Sequence, residues 1–97
     1  MSKYPTEISE ATLAKNAHIS DETIRRDIAD TEAEILGFTA LQEGERIAAA
    51  NLPDPGERRM ADFRASVRPQ QIAERQEFVA FLTLLLEARA KAQAVAE

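Results

Sequence analysis

The sequence predicts an all-α protein, a helical hairpin or bundle built on two long helices. Two observations carry that prediction. Pro53-Asp54-Pro55-Gly56 is the one dense turn signal in 97 residues. On each side of it lies a long segment whose apolar residues recur at helical spacing. Two prolines and a glycine within four positions stop one helix and start another.

The elements follow in order. Residues 1–8 are polar, include Pro5 and show no periodicity, so they read as a flexible arm. A short helix is expected over 9–16, with Leu13 and Ala14 facing inward. Ser20 then suits an N-cap, with Asp21 and Glu22 in the favourable first turn of the next helix.

A long helix is expected over 21–51. Its apolar residues are Ile24, Ile28, Ile35, Phe38, Leu41, Ala48 and Leu52, and Thr31 and Glu45 fill the two missing beats. Steps of three and four put these on one side, at a spacing suited to packing along another long helix. Gly37 and Gly44 each cost about 1 kcal/mol in a helix interior. They mark a kink, a break into two helices or a close helix contact.

At the turn, Asp54 can cap the next helix, Pro55 fits its first position, and Glu57 sits where a capping-box carboxylate reaches back. A short helix is expected over 57–66, carrying Met60 and Phe63. Pro69 pushes Arg68 away from helical angles. The last long helix is therefore expected over 69–94, with one kinked continuous helix as the alternative. Between Phe78 and Leu86 almost every residue is apolar, and only Thr83 interrupts. A helix apolar on all sides must be covered on all sides. A hairpin partner covers one face. The remainder is expected to meet a second copy or another protein, unless the N-terminal helix folds back over it.

Composition narrows the functional classes. Seventeen acidic residues against twelve basic give a net charge of −5 and a pI near 4.9. That balance disfavours coating phosphates, which takes Lys and Arg. The chain has no cysteine, which excludes disulfides, thiolate catalysis and Cys-ligated zinc. The N-terminus lacks a signal-type apolar core. The run from Phe78 to Leu86 is far below the roughly 18–20 residues needed to span a bilayer. A soluble, cytoplasmic protein without membrane contact is expected.

No constellation of catalytic type is present. His18 is the single histidine and has no HExxH or ExxH companion. Asp27, Asp30 and Glu34 share a helix face, but the i,i+4 pairs Asp21–Arg25, Glu22–Arg26 and Arg26–Asp30 read as a solvated, charge-laced surface. Arg58, Arg59, Arg64 and Arg68 read as a solvated rim. The glycines at 37, 44 and 56 form no phosphate loop. No catalytic residue, metal, cofactor or small-molecule ligand is expected.

Residues 13–28, LAKNAHISDETIRRDI, resemble a helix-turn-helix, and the phrasing from Ser20 to Ile28 is similar to the recognition helix of DeoR-type repressors. The resemblance implies that Ile19 closes the turn and that Ile24 and Ile28 anchor the second helix. It places Thr23, Arg25 and Arg26 on or near the groove-facing side. His18 stands where such turns usually carry glycine. Residues 24–36, IRRDIADTEAEIL, are also similar to the first helix of all-helical chorismate mutases, which are dimers of about this chain length. That likeness implies a site whose Arg and Lys clamp a dicarboxylate. Here the lysines stand only at 3, 15 and 91, and Gln42 occupies the place of an expected Arg.

The reading favoured by the residues is a small non-enzymatic interaction or regulatory module. It would act as a homodimer or dock on a larger protein. Its expected anchors are Phe78, Phe81, Leu82, Leu85 and Leu86, with Ile35 and Phe38 opposite. Large aromatic and aliphatic anchors dominate such interfaces. DNA binding through Thr23, Arg25 and Arg26 is the alternative, and a chorismate-mutase-like enzyme the remote one.

Overall fold

A computed structural model describes residues 4–96. It is all-α and has three helices in that span: α1 (Glu10–Lys15), α2 (Asp21–Asn51) and α3 (Pro55–Ala96). The two long helices pack on each other as an antiparallel hairpin. The molecule measures 65 × 25 × 17 Å. Its long axis is the length of α3, whose 42 residues rise about 63 Å.

Each helix starts at a side-chain cap. The Ser9 hydroxyl accepts from the Thr12 N–H at 3.2 Å, and the Ser20 hydroxyl from the Thr23 N–H at 3.1 Å. The Asp54 carboxylate accepts from the Glu57 N–H at 3.1 Å. Each satisfies one of the donors that a helix N-terminus leaves open. The turn predicted at 53–56 is thus built from the residues that signal it, with Pro55 as the first residue of α3.

Each long helix carries a line of buried and half-buried residues at alternating steps of four and three, and α3 buries Leu85 beside its line. On α2 and its C-cap the line is Ile24, Ile28, Thr31, Ile35, Phe38, Gln42, Glu45, Ala49 and Leu52. On α3 it is Ala61, Ala65, Arg68, Ile72, Arg75, Val79, Leu82, Leu86 and Arg89. This is the 3.5-residue seam of a two-stranded antiparallel pair. Thr31 and Glu45 do lie in the seam. Leu41 does not: after Phe38 the alternation needs a step of four, so Gln42 turns inward and Leu41 outward.

Three ion pairs fix the register. Glu45 meets Arg68 at 2.7 Å, Glu34 meets Arg75 at 2.7 Å, and Asp21 meets Arg89 at 2.6 Å. They are spread along the hairpin from near its turn to its open end. A one-residue slip would break all three together. Of the local pairs expected on α2, Glu22–Arg26 forms at 3.6 Å, whereas Asp21 pairs across the hairpin with Arg89.

The expected stop before Pro69 is absent. The separate helices anticipated over 57–66 and 69–94 are one helix, α3. Proline removes the hydrogen bond that residue 69 would give residue 65, at a cost of about 3 kcal/mol. Long-range fastening on either side of it opposes that loss. Ala61 and Ala65 are buried against α2 just before it. Arg68 donates to both Glu45 carboxylate oxygens, at 3.2 and 2.7 Å, and to Gln71 at 2.9 Å. Pro69 itself is exposed.

Before α2 the chain folds back along α3. The Arg89 guanidinium donates to the Asn16 carbonyl at 2.7 Å. From there the segment runs toward the middle of α3, where the Tyr4 ring lies 5.5 Å from Phe78 and 5.3 Å from Phe81. Residues 4–8 of the expected arm are therefore docked; residues 1–3 lie outside the described span.

Candidate interaction surface

The core sits at the open end of the hairpin. Ile24 and Leu85 are fully buried, Leu82 nearly so, and Ile8, Leu13, Ile19, Ile28, Phe78, Phe81 and Leu86 pack around them. Four elements converge there: the arm, α1, the start of α2 and the second half of α3. This is where the apolar surplus of 78–86 goes. The fold-back of the N-terminal segment covers part of it within one chain.

That placement changes the standing of the expected anchors. Leu82 and Leu85 are buried in the chain's own core, and Phe78, Phe81 and Leu86 are half-buried against it. All five are thus buried or half-buried within the single chain. Ile35 and Phe38 are half-buried in the seam. The Phe38 ring has guanidinium groups over it, Arg75 at 4.4 Å and Arg68 at 5.6 Å from its centroid.

Toward the turn the pattern inverts. The seam there is made of small and polar residues: Ala48, Ala49, Ala61, Ala65, Gln42 and the Glu45–Arg68 pair. The large apolar side chains point outward instead. Leu36 is 73% exposed, Phe63 62%, Ile47 55%, Met60 52% and Leu41 51%. Val67 is exposed beside Phe63. These residues are scattered in the sequence among charges, which is why apolar density alone does not select them.

Met60, Phe63 and Val67 stand 18 residues before Phe78, Phe81 and Leu85. Eighteen residues are five helical turns, so the two triads occupy one line along α3, about 27 Å apart. The second is covered by the arm and the core cluster. The first is bare. On α2, a shallow apolar groove runs between Glu34, Gly37, Phe38 and Leu41. Glu34 also lines the groove beside Tyr4, so this strip lies on the arm-bearing side of the hairpin. A Cβ added at Gly37 or Gly44 would meet nothing within 4 Å. The glycines therefore make no close contact inside the chain, and α2 runs unbroken through both of them.

Near the turn, one open groove is lined by Arg58, Arg59 and Asp62 and another by Asp54, Glu57 and Arg64. The groove beside Tyr4 is lined by Glu34, Glu74, Glu77 and Arg75, and Arg75 already serves Glu34. Carboxylates dominate it, which opposes a dicarboxylate ligand of the kind the mutase resemblance implies. Gln42 lies in the seam. Among the described residues no group of three or more His, Asp or Glu side chains is placed to hold a metal ion. Among the described residues no helix is long and apolar enough to cross a membrane.

The helix-turn-helix segment shows α1, a turn over 16–20 and the start of α2. Leu13, Ile19, Ile24 and Ile28 all point into the core, whereas Ala14 is exposed. The turn is closed by Ala17 N–H to Ala14 and Ile19 N–H to Asn16, with no positive φ at His18. Thr23, Arg25 and Arg26 are exposed. Thr23 receives the Ser20 hydroxyl at 2.9 Å, and Arg26 faces Glu22. Arg58, Arg59 and Arg64 form an exposed basic rim near the turn, while Arg68 is bound to Glu45.

No family model matches this chain, and neither the curated proteins nor the solved structures supply a match.

Proposed function

We propose that this protein is a non-enzymatic interaction module that binds another protein surface through the turn-proximal half of its hairpin. One observation carries the reading: six large apolar side chains, Leu36, Leu41, Ile47, Met60, Phe63 and Val67, are exposed in that half, over a seam built mainly of alanine, Gln42 and a salt bridge. Exposed apolar surface, where it is contiguous as the Met60–Phe63–Val67 line on α3 is, marks interaction sites in soluble proteins. Phe63, Met60 and Leu41 replace the anchors expected at 78–86.

Site-specific photo-crosslinking in cells tests the reading. A photoreactive residue at Phe63 should give a protein adduct, and one at exposed Ala90 on the far part of α3 should not. Equal adducts at both positions, or none at Phe63, would remove it.

DNA binding remains the second reading, favoured by the exposure of Thr23, Arg25 and Arg26 above a properly anchored helix start. Retention on duplex DNA that falls with salt and with Arg25→Ala plus Arg26→Ala would establish it. Absence of any shift at low salt dismisses it.

A further inference from the structure

We infer that residues 4–19 form a strap that opens from the hairpin as one unit while α2 and α3 stay paired, and that Arg89 is its latch. Opening uncovers Phe78 and Phe81. They lie on the line of α3 that already carries exposed Met60 and Phe63. The apolar line is therefore short with the strap closed and long with it open. The inference goes beyond the interaction reading and does not depend on it.

Hydrogen bonds divide the chain at Ser20. α1 closes its own ends: the Ser9 hydroxyl accepts from the Thr12 N–H, and the Asn16 side-chain amide donates to the Thr12 carbonyl at 2.8 Å. The turn that follows bonds backward. The Ala17 N–H donates to the Ala14 carbonyl at 3.2 Å, and the Ile19 N–H to the Asn16 carbonyl at 3.0 Å. From Ser20 the bonds belong to α2: the Ser20 hydroxyl accepts from the Thr23 N–H and its carbonyl from the Ile24 N–H. Among the described residues no backbone hydrogen bond crosses between 4–19 and 20–96. The caps of α1 and of the α2 start are thus made within their own parts and survive their separation.

Packing divides the chain at the same place. Residues 4–19 include no fully buried residue. Ile8, Leu13 and Ile19 lie half-buried against Ile24, Leu82 and Leu85, and Tyr4 lies half-buried on Phe78 and Phe81. α2 and α3 instead share a seam along the whole of α2, fastened by three ion pairs. A segment with few buried apolar contacts opens at a lower free energy than the fold beneath it.

Arg89 spans the division. One nitrogen of its guanidinium donates to Asp21 on α2 at 2.6 Å, and another to the Asn16 carbonyl at the end of α1 at 2.7 Å. The planar fork serves both partners at once. A lysine ammonium in its place keeps the charge opposite Asp21 without the fixed second donor.

Two probes on the full chain test the inference. Tyr4 is the single tyrosine, and the chain has no tryptophan. Its fluorescence therefore reads the strap. Far-ultraviolet circular dichroism reads the hairpin, because almost all helical residues lie in α2 and α3. In a urea titration the Tyr4 signal should change first, at a lower midpoint than helicity. Coincident midpoints overturn the inference. In native-state hydrogen exchange the amides of Leu13, Asn16 and Ile19 should share one opening constant, roughly tenfold or more above those of the α2 and α3 seam. A graded rise from Ile19 toward the arm is fraying, and overturns opening as a unit. Arg89→Lys should raise the strap's opening constant by roughly tenfold, the worth of a hydrogen bond from a charged donor. It should move the Tyr4 midpoint further than the helical one. Equal shifts of the two midpoints would place Arg89 in the hairpin alone and overturn its role as latch.

Discussion

Glu45 and Arg68 show how much a single seam position can decide. Glu45 fills an apolar beat of α2, and its carboxyl is held below its ordinary 4.5 chiefly by the hydrogen bonds from Arg68, with the Arg68 and Arg64 charges adding to them. Arg68 is pushed above its own ordinary value by the same bonds. A carboxyl with a lowered folded-state pKa stabilises the fold fully above its unfolded-chain value. That contribution disappears as pH falls through the folded value. Arg68 stays charged throughout and adds no slope there. Urea midpoints should therefore drop below about pH 4.5, and Glu45→Gln should flatten that acid limb while lowering stability at pH 7. An acid limb unchanged in the variant would mean that other carboxylates carry it. The sequence shows Glu45 on the stripe; only the partner helix shows why a charge is tolerated there.

At the scale of the helices, what was legible is what local chemistry determines. Ser20, Asp54 and Pro55 announce helix starts because capping acts within three or four residues of itself. The 3.5-residue spacing on α2 announces a long partner. The course of α3 through Pro69 was legible only as the alternative, because the rule that breaks a helix there is local and the forces that continue it come from α2. The inward turn of Gln42 in place of Leu41 has the same origin: hydropathy favours leucine, and seam register favours glutamine. Since Pro69 is exposed and lies in a continuous helix, Pro69→Ala should restore one backbone hydrogen bond and remove a steric clash. A gain of about 1–3 kcal/mol in urea unfolding is expected. A loss would show that the proline's restricted angles are needed where α3 crosses Glu45.

Over the whole molecule, apolar material is divided between two places along one line of α3. The sequence reveals the denser one, Phe78 to Leu86, and suggests an outside partner for it. The fold gives that site to the chain's own N-terminal segment and leaves the sparser one bare. The reason is connectivity: Asp21 pairs with Arg89, which starts α2 beside the second half of α3, and the described residues that precede it pack there. The arm, as far as Tyr4 shows it, is then a cap over that part of the line. A chain beginning at Ser9 removes Tyr4 and Ile8 and uncovers Phe78 and Phe81. Urea unfolding should show a loss of about 1–3 kcal/mol, the worth of one or two partly buried side chains. Sizing should show assemblies larger than those of the full chain, because both triads on α3 are then open at once. Unchanged stability and size would mean that the arm shields nothing and that the core closes without it. A loss of stability without larger assemblies would assign the arm to folding alone, and would leave the turn-proximal triad as the sole adhesive part of the surface.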